Sequence, residues 1–271
     1  MTSSRLRPPG RGVVKRYVGV NGGQIHLLEA GGDSKRPLPL VLLHQTASSS
    51  IGYLELMTEL GDEFRVIALD TPGFGSSDPL DGEVTVPALG NVLVDALGAM
   101  GVDGFGLYGH HTGAAIAAWI AAAFPNRVDR LMLSGPPFLD QAVRERIEGG
   151  IRDDVIAENG QHLVDAWRRH RHLARDVPLE VAQRELVLYF TAVDPQLAYK
   201  AVLELDFADV LGAIRCPTYV MGGENDTIRS GLEPTHEHLE TSVLEVVPRA
   251  GIYLADQIPG VVADRIRAWF R

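Results

Sequence analysis

Apolar residues along the chain fall into two periodicities, which predict alternating strands and helices. Short continuous apolar runs are typical of strands buried on both faces of a sheet, and they occur at residues 38–43, 64–69, 104–108, 130–133, 217–221 and 244–247. Apolar positions with helical spacing lie between or after them, at residues 51–60, 86–100 and 261–270. This order predicts a mostly parallel sheet with right-handed crossover connections.

The N-terminal part departs from this alternation. Residues 13–20 and 24–29 have strand character and flank Asn21-Gly22-Gly23, three residues that tolerate the positive φ of a hairpin turn. Residues 1–12 are basic, contain proline and lack the apolar stretch of a signal peptide. We interpret them as a flexible leader.

A second departure lies in the middle of the chain. Residues 141–206 contain no convincing strand, and their apolar positions have helical spacing with breaks at Pro178, Asp194 and Pro195. We therefore predict an α/β core made of residues 13–138 and 207–271. A helical cap, residues 139–206, is inserted between the two core segments.

The composition of the chain argues against several classes of function. The 271 residues carry 35 acidic and 25 basic side chains, a formal charge of −10, which argues against nonspecific nucleic-acid binding. The longest apolar run, residues 113–124, is too short to span a bilayer, so we expect no membrane partner. The single cysteine, Cys216, excludes an intramolecular disulfide and a finger-type zinc site, and it fits a reducing, cytoplasmic location.

Four motifs follow one another along the predicted core. They are His44-Gln45-Thr46 after the third strand, Asp70-Thr71-Pro72-Gly73-Phe74-Gly75-Ser76-Ser77, Gly109-His110-His111-Thr112-Gly113, and Asp226 with Gly251-Ile252. This ordered set resembles the α/β-hydrolase fold superfamily, in the capped branch that includes epoxide hydrolases, dehalogenases, carbon–carbon bond hydrolases and hydroxynitrile lyases. The resemblance covers residues 15–271. It implies a mostly parallel eight-stranded sheet flanked by helices, with an inserted helical lid.

Two positions depart from the pattern of that superfamily. The centre of the nucleophile elbow, a sharp strand-to-helix turn flanked by glycines, is His111 where relatives have serine or aspartate. The histidine that follows the last strand in relatives is replaced by Ile252, while Asp226 keeps the position of the catalytic acid. An ordinary acyl-serine cycle needs a hydroxyl nucleophile and a separate histidine base, so it is not expected here.

The motifs nominate a small set of site residues. We expect His111 and Asp226 to be catalytic, and we expect the backbone N–H groups of Gln45 and Thr112 to face a developing oxyanion. Ile252 is expected to line the substrate site. His44 is nominated with them as a substrate-binding residue, although its main role is expected to be structural.

Other side chains have simpler interpretations. Thr112 lies one position past the elbow apex, and the serines at positions 48–50 are expected to cap the helix near residue 51, so neither replaces the nucleophile. His110 is expected to support the elbow from below. The cap histidines, His162, His170 and His172, are expected on a solvated face. Adjacent imidazoles at a strained turn point apart, so no metal site is expected.

Two functions from different classes remain open. The first is a cofactor-independent hydrolase or lyase that acts on a small, largely apolar substrate carrying a carbonyl group, with His111 as general acid/base. The second is a catalytically silent ligand-binding protein or receptor on the same fold, since a binding module would tolerate the loss of two triad members. The expected partner is a small molecule. Homodimer formation stays open.

Overall fold

The computed structural model describes residues 12–34, 36–152 and 154–271. Its centre is an eight-stranded sheet with the order β1-β2-β4-β3-β5-β6-β7-β8. The strands are β1 Val14–Val20, β2 Gly23–Ala30, β3 Leu40–Leu43, β4 Val66–Leu69, β5 Phe105–His110, β6 Val128–Ser134, β7 Thr218–Gly223 and β8 Ser242–Val247. Strands β1 and β2 form an antiparallel hairpin at one edge, and β3 to β8 run parallel. The predicted fold class is confirmed, whereas the predicted leader, apart from Gly12, lies outside the described residues.

Helices cover both faces of this sheet. They are α1 Leu54–Leu60, α2 Val86–Ala99, α3 Thr112–Ala123, α4 Gln141–Gly150, α5 Gln161–Leu173, α6 Leu179–Thr191, α7 Pro195–Glu204, α8 Phe207–Ala213, α9 Leu232–His238, α10 Leu254–Gln257 and α11 Pro259–Trp269. Because successive strand residues point to opposite faces, Val41 and Leu43 pack with α2 and α3 on one side. Leu40 and Leu42 pack with α1 and α11 on the other. The two helix layers exclude water from the centre of the sheet.

The helix predicted at residues 51–60 is divided. A 3₁₀ turn covers Ser50–Tyr53 and is followed by α1. The expectation that serines cap this helix is wrong, because Ser49 makes no side-chain capping hydrogen bond. Instead, the carboxylate of Asp70 accepts a hydrogen bond from the backbone N–H of Ser50 at 2.6 Å. The buried carboxylate of Asp70, in the neighbouring loop, therefore caps this helix.

Between β6 and α8 the described residues form helices and loops without strands, and we call residues 139–206 the cap. Side-chain hydrogen bonds tie the cap to the core, among them those of Arg184 and Tyr199. Arg184 of α6 donates two hydrogen bonds of 2.8 Å to the carboxylate of Asp256, which is in α10. Tyr199 of α7 donates to the carbonyl oxygen of Thr46, in the loop after β3, at 3.1 Å. The cap is thus held over the loops that follow the parallel strands.

Candidate active site

His111 stands at a strained turn between β5 and α3. Its backbone has φ 49° and ψ −112°, a positive φ that residues with a side chain rarely adopt. The turn is possible because Gly109 and Gly113 carry no side chain: a Cβ atom on either would collide with nearby backbone atoms, those of Gly113 and Leu43 respectively. Strain of this kind persists where the surrounding structure enforces it. Here it presents an imidazole at the carboxyl edge of the sheet.

The imidazole of His111 is paired with a buried acid. Its Nε2 lies 2.8 Å from Oδ2 of Asp226, and the two side chains are 16% and 1% exposed. Burial alone would raise the pKa of Asp226, but the adjacent His111 and the N–H of Ile228 hold it below its ordinary value. The acid is therefore ionised, and Nε2 of His111 carries the proton that it donates. Within the described residues, Nδ1 of His111 has no hydrogen-bond partner.

His110 supports this pair from beneath, as expected. Its Nε2 donates to the carbonyl oxygen of Ile252 at 2.7 Å, and its Nδ1 lies 3.0 Å from Oγ of Ser134. Burial, together with the neighbouring His111, lowers the pKa of His110 to about 3. The ring is therefore neutral. Its centroid lies 4.3 Å from that of His111, so the expectation that these two imidazoles point apart is wrong. A neutral, doubly anchored ring fixes the floor on which His111 rests.

The predicted oxyanion loop follows β3 and lies beside the elbow. Gln45 and Thr112 both line the cavity described below. Thr112 is the first residue of helix α3, so its N–H has no carbonyl within the helix to which it can donate. The carbonyl of Gln45 is held by the N–H of Ser48 at 2.9 Å and by Nδ1 of His44 at 2.8 Å.

His44 does not line the cavity in the described part of the chain. Its Nε2 accepts the N–H of Thr71 at 2.9 Å, so both ring nitrogens are bound to backbone groups. Burial lowers its pKa, which keeps the ring neutral. The expectation that His44 lies at the substrate site is therefore corrected, because this ring braces the loop that carries Gln45.

A cavity of about 340 Å³ lies between the cap and the core. Its floor includes His111, Thr112, Gln45 and Ile252, so four of the nominated residues meet there. Its apolar wall includes Leu139, Ile147, Leu186, Val202, Leu203 and Ile228. Cap residues add a polar wall made of His170, Glu185, Tyr189, Gln196 and Tyr199. The cavity therefore combines the imidazole of His111 on its floor with walls of mixed polarity.

Comparison with known proteins settles the family. A family model described as alpha/beta hydrolase fold matches residues 39–230. The chain belongs to the alpha/beta hydrolase fold family.

Three proteins show what this chain is similar to. An esterase from Thermogutta terrifontis is 26% identical, with a TM-score of 0.75 over 96% of this chain and 98% of that one. The dihydrolipoyllysine-residue acetyltransferase component of the acetoin cleaving system from Pseudomonas putida is 29% identical over 266 residues, 93% of this chain and 68% of that protein. Its namesake from Cupriavidus necator is 26% identical over 55% of this chain. That last match spans only 38% of the relative's length.

Sequence reasoning missed two residues that line the cavity, and both belong to the cap. Glu185 was not singled out, although it shares a face of α6 with buried Ala182 and with Tyr189, three and four positions away. An acid on the buried face of a helix was the signal that could have revealed it.

His170 was expected on a solvated face, and this expectation is wrong. Its ring lines the cavity with Nε2 buried and without a hydrogen-bond partner among the described residues. Burial, and to a lesser degree Arg171, lowers its pKa. The docking of α5 on the core turns this side chain inward, which helical spacing alone could not reveal.

Two further features concern the part of the chain that the structure describes, its metal-binding side chains and the length of its apolar helices. These residues form no cluster of three or more histidine, cysteine, aspartate or glutamate side chains suited to a metal ion. None of their helices is both long and apolar enough to cross a membrane.

Proposed function

We propose that this protein is a cofactor-independent hydrolase or lyase that moves protons on a small, largely apolar substrate with a carbonyl group. The observation that carries the proposal is the 2.8 Å hydrogen bond between Nε2 of His111 and Oδ2 of Asp226 at the cavity floor. An ionised acid that holds an imidazole in one tautomer and orientation is the arrangement by which general bases are made effective.

In this proposal the free Nδ1 of His111 accepts a proton from an activated carbon or from a water molecule. The imidazolium that forms is stabilised by the buried carboxylate of Asp226, much as an acid stabilises the histidine of a hydrolytic triad. The backbone N–H groups of Gln45 and Thr112 stabilise the negative charge that develops on the carbonyl oxygen. Thr112 opens the twelve-residue helix α3, whose N-terminus favours such a charge.

The family supports an enzyme, and the site argues for its unusual chemistry. The related esterase has the same fold over nearly its whole length. Ile252 occupies the position at which the sequence pattern expects a histidine base, and its side chain lines the cavity. Because position 252 holds no imidazole, we assign proton transfer to His111 itself. The apolar wall of the cavity supports a largely apolar substrate.

Deuterium exchange tests this proposal without knowledge of the natural substrate. Small ketones, β-diketones and β-keto esters are incubated with the protein in D₂O, and loss of the proton signals next to the carbonyl is followed by ¹H NMR. Wild-type protein should accelerate exchange in at least one of these compounds. His111→Ala should lose on the order of 10²–10⁴-fold in rate while it keeps its fold and ligand affinity.

Glu233→Gln is the control for Asp226→Asn, because each substitution replaces one carboxylate with an amide. Glu233 lies on α9 at the surface and pairs with Arg229, away from the cavity. Exchange should fall in Asp226→Asn and stay unchanged in Glu233→Gln. Undiminished exchange in His111→Ala would remove His111 from the mechanism. Binding of these compounds without any exchange in wild-type protein would favour the silent receptor.

A further inference from the structure

A buried polar cluster lies where the cap meets the core. Glu185 of α6 is 4% exposed and also lines the cavity. Its Oε1 accepts Nε of Arg184 at 2.8 Å and Oγ of Ser48 at 3.2 Å. Arg184 binds Asp256 through its two terminal nitrogens, and one of them also lies 2.7 Å from Oε1 of Glu185. The cluster thus joins a cap helix, the loop after β3 and α10.

The charges of this cluster do not balance. Two carboxyl groups, those of Glu185 and Asp256, share the single guanidinium of Arg184. Asp256 holds the guanidinium through two parallel hydrogen bonds, the stronger geometry. All hydrogen bonds to Glu185 reach Oε1, and within the described residues none reaches Oε2. An unneutralised buried carboxylate is costly, so one proton is expected to reside on this pair.

That proton is expected on Glu185. Burial raises the pKa of Glu185, and the negative charge of Asp256 raises it further, against the lowering effect of Arg184. A neutral carboxylic acid is also a hydrogen-bond donor, which a carboxylate is not. A neutral Glu185 therefore places an acidic proton in the wall of the cavity.

The position of Glu185 relates this proton to the reacting groups. Ser48, which donates to Glu185, belongs to the same short loop as Gln45, and the carbonyl of Gln45 accepts the N–H of Ser48. Tyr199 binds the next residue of that loop, Thr46, and also lines the cavity. Glu185 therefore lies over the loop that carries one of the two proposed oxyanion donors, whereas His111 lies on the floor.

We propose that Glu185 is a second catalytic residue, which gives its proton to the substrate carbonyl oxygen while His111 removes a proton from the neighbouring carbon. This assignment rests on the proposed function of His111. In the step, the carbon–hydrogen bond breaks and its proton joins Nδ1 of His111. The electron pair left behind forms the carbon–carbon double bond of the enol. The carbonyl π electrons form an O–H bond with the proton of Glu185, which becomes a carboxylate beside Arg184.

Reversal of the step restores both residues. The imidazolium of His111 returns a proton to carbon, and the enol returns its proton to Glu185. The enzyme thus ends each cycle in its starting state, with no oxidant, reductant or other reagent consumed. Arg184 has the role of stabilising the transient carboxylate, since it already donates to Oε1.

The substitution Glu185→Gln tests the assignment. Glutamine keeps the size of the side chain, a carbonyl oxygen for Ser48 and Arg184, and an amide N–H that can still donate to a substrate oxygen. It cannot release a proton. In the deuterium-exchange assay, kcat should therefore fall by about a hundredfold while KM is unchanged. Glu180→Gln, an exposed position on the same helix, removes one acid far from the cavity and should leave both constants unchanged.

Infrared spectroscopy provides a readout that does not depend on turnover. Wild-type protein at neutral pH should show the carbonyl stretch of a protonated carboxylic acid, and Glu185→Gln should lack it. Absence of this band in folded wild-type protein would overturn the proposal. So would full kcat in Glu185→Gln when His111→Ala is inactive, a result that leaves the proposed function standing. Full activity in His111→Ala would refute the proposed function instead, and this inference with it.

Discussion

Gly135 follows β6 and lies against both His111 and Asp226. It has φ +54°, in the left-handed region that favours glycine. A Cβ atom at this position would lie 2.5 Å from Cδ2 and 2.7 Å from Nε2 of His111, and 3.0 Å from Oδ2 of Asp226. All three are shorter than ordinary van der Waals contacts. Gly135→Ala is therefore expected to push the imidazole away from its acid.

The expected cost has two parts. A left-handed conformation at alanine costs roughly 1–2 kcal/mol, and overpacking at a buried site costs about 1–3 kcal/mol. The free energy of unfolding should thus fall by about 2–5 kcal/mol. The imidazole is the end of a side chain and can move more readily than the backbone, so the hydrogen bond to Asp226 should lengthen. Displacement by about 1 Å can lower a catalytic rate on the order of a hundredfold.

Two assays separate these effects. Urea unfolding followed by tryptophan fluorescence gives the free energy, and deuterium exchange into a ketone gives the rate. Gly98→Ala is the matched control, because this glycine lies exposed in α2 with no atom within 4 Å of the added Cβ. It should raise stability by about 0.5–1 kcal/mol, through helix propensity. If Gly135→Ala unfolded like wild type and exchanged at the wild-type rate, the packing around His111 described above would be wrong.

Three further predictions follow from the site. Burial holds the pKa of His110 at about 3 in the folded state. Below about pH 6.5 the unfolded chain therefore binds a proton at this histidine that the folded chain does not. As the pH falls from there to 3, the free energy of unfolding should decrease by up to about 1.4 kcal/mol per pH unit. His110→Asn should flatten that slope in urea unfolding measured across pH. Arg184→Met should cost about 3–5 kcal/mol because it strands buried carboxyl groups, whereas Arg168→Met, in an exposed ion pair, should cost less than about 1 kcal/mol. His111→Ser should be inert towards aryl esters, and only its combination with Ile252→His should gain hydrolysis.

Each of these has a result that contradicts it. An unchanged pH slope in His110→Asn would mean that another group carries the acid sensitivity. Equal losses in the two arginine variants would show that the ion pair between cap and core adds no more than a surface pair. Hydrolysis by His111→Ser alone would reveal a base already near the elbow, and the interpretation of Ile252 as an emptied base position would fail.

Local sequence determined the scaffold. Continuous apolar runs specify strands buried on both faces, and the glycines at positions 109 and 113 permit the turn on which His111 stands. These signals are short-range, because periodicity and steric limits act between residues close in the chain. The fold class and the place of His111 at a strained turn were therefore predictable from the sequence.

Tertiary structure decided which residues His111 meets. From the sequence, Asp226 had lost its usual partner, but folding brings it within 2.8 Å of a histidine 115 residues away. His44 shows the reverse, since backbone groups of Gln45 and Thr71 occupy both its nitrogens. Hydrogen bonds between loops depend on how strands are ordered in the sheet, which no local pattern records.

The cap shows the same limit most clearly. Helical spacing predicted its helices, but the face that each helix turns inward depends on the surface it packs against. His170 and Glu185 lie in helices with many charged residues, and the tertiary packing buries Glu185 and the Nε2 atom of His170. Sequence periodicity specifies that a helix has an inner face. The shape of the cavity, formed by segments distant in the chain, decides which polar groups on that face meet a substrate.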